Sequence, residues 1–361
     1  MITGIHLQQD IARAVEDLKY IEWTDIQKRT IPKVQEGKDV IAQSSTGSGK
    51  TAAFGLPILE KVVHGNGLQV LILVPTRELC EQDNKEMNKF SKYKKMNIIP
   101  VYGGVSINPQ IDNLKHADIV VGTPGRIIDH IQRRTIQLNK VNILVLDEAD
   151  KMFEMGFIDH VKRIISNLRT TRQTLLFSAT ISSQVHHIVK NYMKNPELIK
   201  VKSYVDEESL VQHYYDVPSR DKFSLLVNLL KTESSGLTII FCATRRMVDI
   251  LSRNLYKLRI KTEKLHGGMS QNRRKQAIDM FHSKKADILI ASDVAARGLD
   301  IKNVTHIINY DIPKTSNEYI HRIGRTARAG NQGKVISLLC ENDYDNFRNV
   351  LADRALTVAK L

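Results

Sequence analysis

Two stretches of this sequence combine residue types that can handle phosphates and a metal ion. The first, AQSSTGSGKT at residues 42–51, ends in Gly49-Lys50-Thr51 and matches the end of the phosphate-loop pattern GxxxxGKT. Glycines let backbone N–H groups close on phosphate oxygens, Lys50 can reach the β- and γ-phosphates, and the Thr51 hydroxyl can ligate Mg²⁺. A chance Gly/Ser turn is the alternative. The strand-like run before the loop and the helix-like run after it favour a phosphate site.

The second stretch, ILVLDEAD at residues 143–150, carries an apolar run directly into three carboxylates. Asp147 would lie just beyond a strand, where phosphate-loop enzymes keep the carboxylate that holds Mg²⁺. Glu148 beside it can position or deprotonate an attacking water. A helix N-terminus enriched in acids is the alternative. The phosphate loop upstream favours the catalytic interpretation.

Strands and helices in regular alternation must position these residues. In the first part of the chain, continuous Val, Ile and Leu runs predict strands at 39–43, 69–75, 97–102, 118–124, 142–148 and 173–180. The segment 10–20 predicts a helix with Ile11, Val15 and Leu18 on one face. This alternation is typical of a doubly wound α/β domain, in which ligands bind beyond the carboxyl ends of the strands.

The same pattern begins again after a polar stretch. The later strand predictions lie at 237–244, 287–294, 305–311 and 333–339. We therefore predict an N-terminal domain at 1–202, a linker at 203–209 and a C-terminal domain at 210–361.

The composition favours a nucleic-acid partner and a reducing compartment. The net charge of +14 is shared by both halves of the chain, as binding of a polyanion along both domains would require. A generally basic protein is the alternative. The three cysteines are scattered without CxxC spacing, and no apolar run approaches the roughly 20 residues of a membrane span. The N-terminus does not resemble a signal peptide. We predict a cytoplasmic protein without membrane association.

An ordered set of short motifs runs along essentially the whole chain: TDIQ, SSTGSGKT, PTREL, GG, TPGR, DEAD, SAT, IIFC, QNRR, SDVAARGLD and HRIGRTARAG. This set resembles that of the DEAD-box RNA helicase family. The resemblance implies an α/β protein of two tandem RecA-like domains, each a mostly parallel sheet with helices on both faces. It also implies ATP and Mg²⁺ as cofactors and RNA as the partner.

The resemblance further implies the residues of the nucleotide site. Those expected to bind the nucleotide are Tyr20, Gln27, Ser45, Thr46, Gly47, Ser48, Gly49, Lys50, Thr51, Gly298 and Asp300. Those expected to be catalytic are Lys50, Asp147, Glu148, Arg325 and Arg328, with Thr51 and Asp147 as metal ligands. Those expected to couple nucleotide state to closure are Asp150, Ser178, Thr180 and His321. The Gln27 amide offers a donor and an acceptor, which suits adenine, and Tyr20 would stack on the base. For Tyr20 a core aromatic is the alternative, and for Arg322, Arg325 and Arg328 of HRIGRTARAG a solvated basic helix face is the alternative.

RNA contacts are implied along both domains. The matching positions are Thr76, Arg77, Gly104, Thr123, Arg126, Thr244, Arg245, His266, Gly267, Arg274 and Ser292. Hydroxyls, glycines and guanidinium groups suit a sugar–phosphate backbone. Because aromatic residues make up only 6% of the chain, we expect binding with little base specificity.

Several positions depart from the family's pattern. Ile2 replaces an upstream Phe, Lys19 replaces a Gly, and Trp23 and Asp25 replace prolines that flank a threonine. Ala327 replaces a Gly between two arginines, a change that we expect to be mild if the residue is helical.

The favoured function is an ATP-dependent RNA helicase that acts as a monomer, with protein partners unknown. Two alternatives stay open at this point: a non-catalytic, ATP-gated RNA clamp and a DNA translocase.

Overall fold

The chain forms two compact units, Met1–Lys202 and Ser203–Leu361. The computed structural model describes residues 4–44, 47–201, 210–233, 236–296, 304–327, 332–352 and 356–361. The predicted linker at 203–209 lies outside the described residues, so the domain boundaries stay a prediction. None of the described helices is long and apolar enough to cross a membrane.

The first unit is a parallel sheet between two layers of helices. Its strands are β1 (Val40–Gln43), β2 (Val70–Leu73), β3 (Ile98–Val101), β4 (Ile119–Gly122), β5 (Ile143–Leu146), β6 (Gln173–Ser178) and β7 (Glu197–Lys200). Its helices are α1 (Gln9–Asp17), α2 (Asp25–Gln35), α3 (Lys50–Lys61), α4 (Arg77–Phe90), α5 (Asn108–Leu114), α6 (Pro124–Gln132), α7 (Ala149–Glu154), α8 (Ile158–Ser166) and α9 (Ser183–Tyr192). The strand order is β3-β4-β2-β5-β6-β1-β7, and every described pairing is parallel.

Side chains from alternate strand positions enter two cores, one on each face of this sheet. Val70 and Ile72 pack with helices α1 to α4, and Leu71 and Leu73 pack with helices α6 to α9. Because both faces are covered, the strands are apolar at consecutive positions, which is the pattern seen in the sequence. The six strands predicted in this unit are confirmed, and each is shorter than predicted at one or both ends. The helix predicted at 10–20 already ends at Asp17.

The second unit repeats this architecture. Its strands are β8 (Leu210–Asp216), β9 (Leu237–Cys242), β10 (Glu263–Leu265), β11 (Ile288–Ser292), β12 (Val304–Asn309), β13 (Gly333–Leu339) and β14 (Ala359–Lys360). Its helices are α10 (Lys222–Thr232), α11 (Arg245–Lys257), α12 (Gln271–His282), α13 (Asp293–Ala296), α14 (Ser316–Ile323) and α15 (Tyr344–Leu351). The strands lie in the order β10-β11-β9-β12-β13-β8-β14, all parallel where described, between two apolar cores. The predicted fold class is confirmed in both units.

Candidate nucleotide-binding and RNA-binding sites

In the first unit the carboxyl edge of the sheet is divided between two sets of motifs. The phosphate loop follows β1, DEAD follows β5 and SAT begins at the end of β6, and these three strands are neighbours in the order β5-β6-β1. The PTREL, GG and TPGR motifs follow β2, β3 and β4, which are neighbours in the order β3-β4-β2. The strand order therefore gathers the predicted nucleotide residues at one half of the edge and the predicted RNA residues at the other.

The phosphate loop brings a buried lysine side chain to the start of α3. Gly47 and Gly49 have φ angles of +81° and +91°, the left-handed region that glycine adopts without strain. Lys50 is the first residue of α3 and is buried, and its Nζ has no hydrogen-bond partner among the described residues. An ammonium group buried in this way is costly unless an anion joins it. Ser48 is held by its hydroxyl against Ser44, at 3.0 Å, whereas Ser45 and Thr46 lie outside the described residues.

Two carboxylates follow the end of β5, and one of them, Asp147, interacts electrostatically with this lysine. Asp147 is buried, and its Oδ1 accepts the backbone N–H of Glu148 at 2.9 Å. Burial raises the pKa of Asp147 to about 6, against the opposing effect of the nearby Lys50 ammonium. Glu148 adopts φ +51°, a strained conformation for a residue with a Cβ, of the kind that collects at functional sites. Its Oε1 lies 3.1 Å from the buried Lys151 ammonium.

A third buried carboxylate, Asp83 on α4, was missed in the sequence. Its Oδ1 accepts the Thr51 hydroxyl at 3.0 Å. Burial raises the pKa of Asp83 well above its usual range, and the Asp147 carboxylate adds to the rise. The signal was available: the inner stripe of α4 contains Leu79, Cys80, Met87 and Phe90, and Asp83 is the acidic residue within that stripe.

The DEAD and SAT motifs are tied together by hydrogen bonds. Asp150 Oδ2 accepts both the backbone N–H and the hydroxyl of Thr180, each at 2.9 Å. The Ser178 hydroxyl accepts the backbone N–H of Asp150 at 3.2 Å and donates to the Thr180 carbonyl at 2.7 Å. These hydrogen bonds join the loop after β6 to the start of α7.

The predicted adenine-reading residues lie against the phosphate loop. The Gln27 amide nitrogen donates to the Gly49 carbonyl at 3.2 Å, and its oxygen accepts the Thr24 N–H at 3.0 Å. Trp23 is buried in the core, and Asp25 is the first residue of α2, where either a proline or an acid is favourable. The burial of Trp23 and the position of Asp25 at the helix start explain how the chain accommodates both departures from the prolines. Lys19 takes φ +56°, so this departure adds strain where a glycine would have none.

Tyr20 is partly buried against the first core, and its ring centroid lies 6.0 Å from that of Trp23. Burial raises its pKa to about 12, so the phenol is neutral at physiological pH. Ile2 lies outside the described residues.

The predicted RNA residues of the first unit meet around Gly104. The φ of Gly104 is +80°, and any side chain there would overlap the Arg77 guanidinium. Arg126 donates to the Val105 carbonyl at 3.0 Å and so fixes the same loop. Thr76 and Thr123 are the N-cap residues of α4 and α6. Two helix N-termini and two guanidinium groups at one edge form a surface suited to phosphates.

The second unit has an equivalent arrangement after β9, β10 and β11. Thr244 caps α11, and the exposed Arg245 lies beside Gly267. His266 and Arg274 are buried, and Arg274 Nη1 donates to the His266 carbonyl at 3.2 Å. Ser292 is the last residue of β11 and is also buried. These buried residues shape the edge, whereas Thr244, Arg245 and Gly267 are accessible on it.

The arginines of HRIGRTARAG differ in their surroundings. Arg322 on α14 is buried and forms a two-point ion pair with Asp293, at 2.6 and 2.7 Å, so a solvated helix face is wrong for this residue. Arg325 and His321 are buried as well. Arg328, Gly298 and Asp300 lie outside the described residues.

Ala327 has φ +52° and follows the end of α14 at Ile323. The replacement of glycine by Ala327 was expected to be mild if the residue is helical. Because Ala327 lies beyond the helix with a left-handed φ, that condition is not met.

Comparison with known proteins covers both units. The family model "DEAD/DEAH box helicase" matches residues 24–188, and "Helicase conserved C-terminal domain" matches residues 221–330. ATP-dependent RNA helicase CshA of Listeria monocytogenes is 46% identical over 95% of this chain and 67% of its own length. DEAD-box ATP-dependent RNA helicase CshA of Bacillus cereus is 44% identical over 95% of this chain. The chain thus spans 66% of the length of that relative, slightly less than two thirds.

Solved structures agree with both the sequence and the fold. A DEAD box protein from the hyperthermophile Methanococcus jannaschii is 39% identical over 99% of this chain and 98% of its own, with a TM-score of 0.58. Dbp5 of S. cerevisiae bound to RNA and ADP BeF3 is 32% identical over 98% of this chain and 94% of its own, with a TM-score of 0.89. The two parallel sheets are thus tandem RecA-like domains. With both of its domains and almost its entire length matched, the chain belongs to the DEAD-box ATP-dependent RNA helicase family.

Proposed function

We propose that this protein is an ATP-dependent RNA helicase in which RNA stimulates ATP hydrolysis. Hydrolysis is coupled to domain closure, local unwinding of short RNA duplexes and remodelling of RNA–protein complexes. The observation that carries the proposal is the buried Lys50 ammonium, which lacks a hydrogen-bond partner among the described residues beside Asp147. A nucleotide phosphate supplies the anion that this environment requires.

In this proposal the first domain, 1–202, binds ATP. Lys50 and the N–H groups of residues 45–49 hold the phosphates at the N-terminus of α3, where the helix dipole favours negative charge. Gln27 reads adenine and Tyr20 stacks on it. Because the Gln27 amide also bonds Gly49, at 3.2 Å, base recognition is linked to the shape of the phosphate loop.

The donor set fits Mg²⁺ as the accompanying ion. No group of three or more His, Cys, Asp or Glu side chains within the described segments could hold a metal by itself. Mg²⁺ suits such a site, because it is usually held by one or two carboxylates together with substrate phosphates and waters. Thr51 and Asp147 would hold it. When bound, the ion neutralises charge on the phosphates.

Glu148 is the group that positions and deprotonates the attacking water. The carboxylate is buried and close to Lys151, which fixes its direction, and its strained backbone points to a conformation kept for function. Arg325 and Arg328 of the second domain, 210–361, stabilise charge that develops on the γ-phosphate, with Gly298 and Asp300 near the ribose.

RNA lies along the two carboxyl edges that carry Gly104 and Gly267. Guanidinium groups, hydroxyls and helix N-termini at both edges contact the sugar–phosphate backbone, so binding depends little on base sequence. The helicases named above support this substrate class, and the Dbp5 complex contains RNA together with a nucleotide. A cytoplasmic monomer completes the proposal; free cysteines at 80, 242 and 340 suit a reducing compartment.

The test is the rate of ATP hydrolysis with single-stranded RNA, duplex RNA and DNA, for the wild type, Lys50→Met and the surface variant Lys38→Ala. We expect RNA to stimulate hydrolysis by the wild type and Lys38→Ala, and no hydrolysis by Lys50→Met. Stimulation by DNA alone would instead identify a DNA translocase. ATP-dependent RNA binding without ADP formation would identify a clamp.

A further inference from the structure

The position of Asp83 follows from a close approach of α3 and α4. A side chain at Gly55 of α3 would collide with the sulfur of Met87 on α4, so these helices meet at short distance. Thr51 and Asp83 lie one helical turn earlier on the same two faces. The carboxylate is therefore held at the phosphate end of α3 by the packing of both helices.

Asp83 occupies a position where burial of an apolar side chain would cost less free energy. It is fully buried in a stripe of apolar side chains, and a carboxylate there pays a large desolvation cost. One oxygen accepts the Thr51 hydroxyl at 3.0 Å, and the other has no hydrogen-bond partner among the described residues. The charges of Asp147, Glu148 and Lys50 all act on it. Packing alone gives no account of this group.

The direction of the Thr51 hydroxyl bond indicates a chemical role for Asp83. A hydroxyl that ligates a cation uses its oxygen lone pairs, so its proton must be donated to another acceptor. Thr51 donates its proton to Asp83, which leaves the oxygen lone pairs available. Acceptors that orient a ligand in this way typically change metal affinity by about 10–100-fold.

We propose that Asp83 is a positioning residue of the nucleotide site, which fixes the Thr51 hydroxyl for the divalent cation that accompanies the nucleotide. The inference rests on the proposed function, because it assumes nucleotide at Lys50 and the cation at Thr51. It adds a residue of α4 to that site, and its effect reaches the cation through Thr51.

The test measures the affinity of the full chain for ADP by calorimetry, in EDTA and in saturating Mg²⁺. The ratio of the two dissociation constants is the magnesium enhancement. We expect it to fall at least about 10-fold in Asp83→Leu, while the affinity in EDTA is unchanged or tighter. Asp83→Asn keeps an acceptor oxygen and should fall between Asp83→Leu and the wild type. Asp112→Asn, which removes the same charge from an exposed site on α5, should match the wild type.

The outcomes separate this inference from the proposed function. Equal magnesium enhancement in the wild type and Asp83→Leu would overturn the role of Asp83 alone. The same conclusion follows if affinity drops equally in EDTA and in Mg²⁺, since a packing defect would act in both. If Asp83→Leu does not fold, the same comparison is made with Asp83→Asn. No binding of ADP by the folded wild type would overturn the proposed function and this inference together.

Discussion

Replacement of Arg322 by alanine should destabilise the C-terminal unit strongly. The buried guanidinium donates to both Asp293 oxygens, to Asn309 Oδ1 at 3.0 Å and to the Asp311 carbonyl at 2.6 Å. Its carbon lies 5.0 Å from the Phe241 ring centroid. Removing one partner of a buried ion pair costs about 3–5 kcal/mol. Two charge-assisted hydrogen bonds at about 1.5–3 kcal/mol each give a similar figure.

A double-mutant cycle tests whether the energy belongs to this pair. Asp293→Ala alone leaves the guanidinium without its carboxylate, so the double variant should lose less than the sum of the single losses, by about 0.5–3 kcal/mol. Arg322→Lys keeps the charge but not the planar fork, and should lie between wild type and alanine. Arg348→Ala, at an exposed ion pair with Asp345, is the matched control and should leave stability nearly unchanged.

Urea unfolding of the full chain can assign the loss to one unit. The single tryptophan, Trp23, lies in the first unit, so its fluorescence reports that unit, whereas far-UV circular dichroism reports both. We expect Arg322→Ala to lower the urea midpoint of a circular-dichroism transition and to leave the midpoint of the Trp23 fluorescence transition unchanged. A loss below about 1 kcal/mol, or strict additivity in the cycle, would refute the view that Arg322 is a structural residue.

Four other outcomes can be measured directly. Glu148→Gln should abolish ATP turnover while ATP-dependent RNA binding survives, because shape is kept and the base is lost; near-normal turnover would exclude Glu148 as the base. Gln27→Ala should reduce the preference for ATP over GTP, by about 1–3 kcal/mol if the amide pairs with adenine, and an unchanged preference in competition binding would contradict that role. Ala327→Gly should stabilise the C-terminal unit by about 1 kcal/mol, because it relieves a left-handed φ of +52°. A thermal unfolding midpoint that does not rise would contradict this. Burial, with a contribution from Arg126, lowers the pKa of His130 to about 4. As pH falls from 7 to 5, the unfolded chain gains a proton that the native His130 does not. The wild type should therefore lose about 2 kcal/mol of stability over this range, and His130→Gln should not lose it. Urea midpoints that fall equally with pH in both proteins would contradict this expectation.

The sequence alone predicted the elements whose patterns are local. Strands β2, β4, β5 and β6 are buried at every position, and continuous apolar runs mark them in the sequence. The edge strands β7, β10 and β14 and the partly exposed strand β8 lack such runs and were missed. The phosphate loop and DEAD were visible because each is a short motif with a strand before it.

Tertiary structure alone decided the roles of side chains whose partners are distant in sequence. Arg322 and Arg325 are three residues apart in one motif, yet the ion pair of Arg322 depends on Asp293, which is brought near by α13. Asp83 meets Thr51, 32 residues away, only because α3 and α4 approach closely at Gly55. Sequence patterns record the period at which a residue faces the core. They do not record which group from another segment occupies that core, and the energy of a buried charge depends on that neighbour.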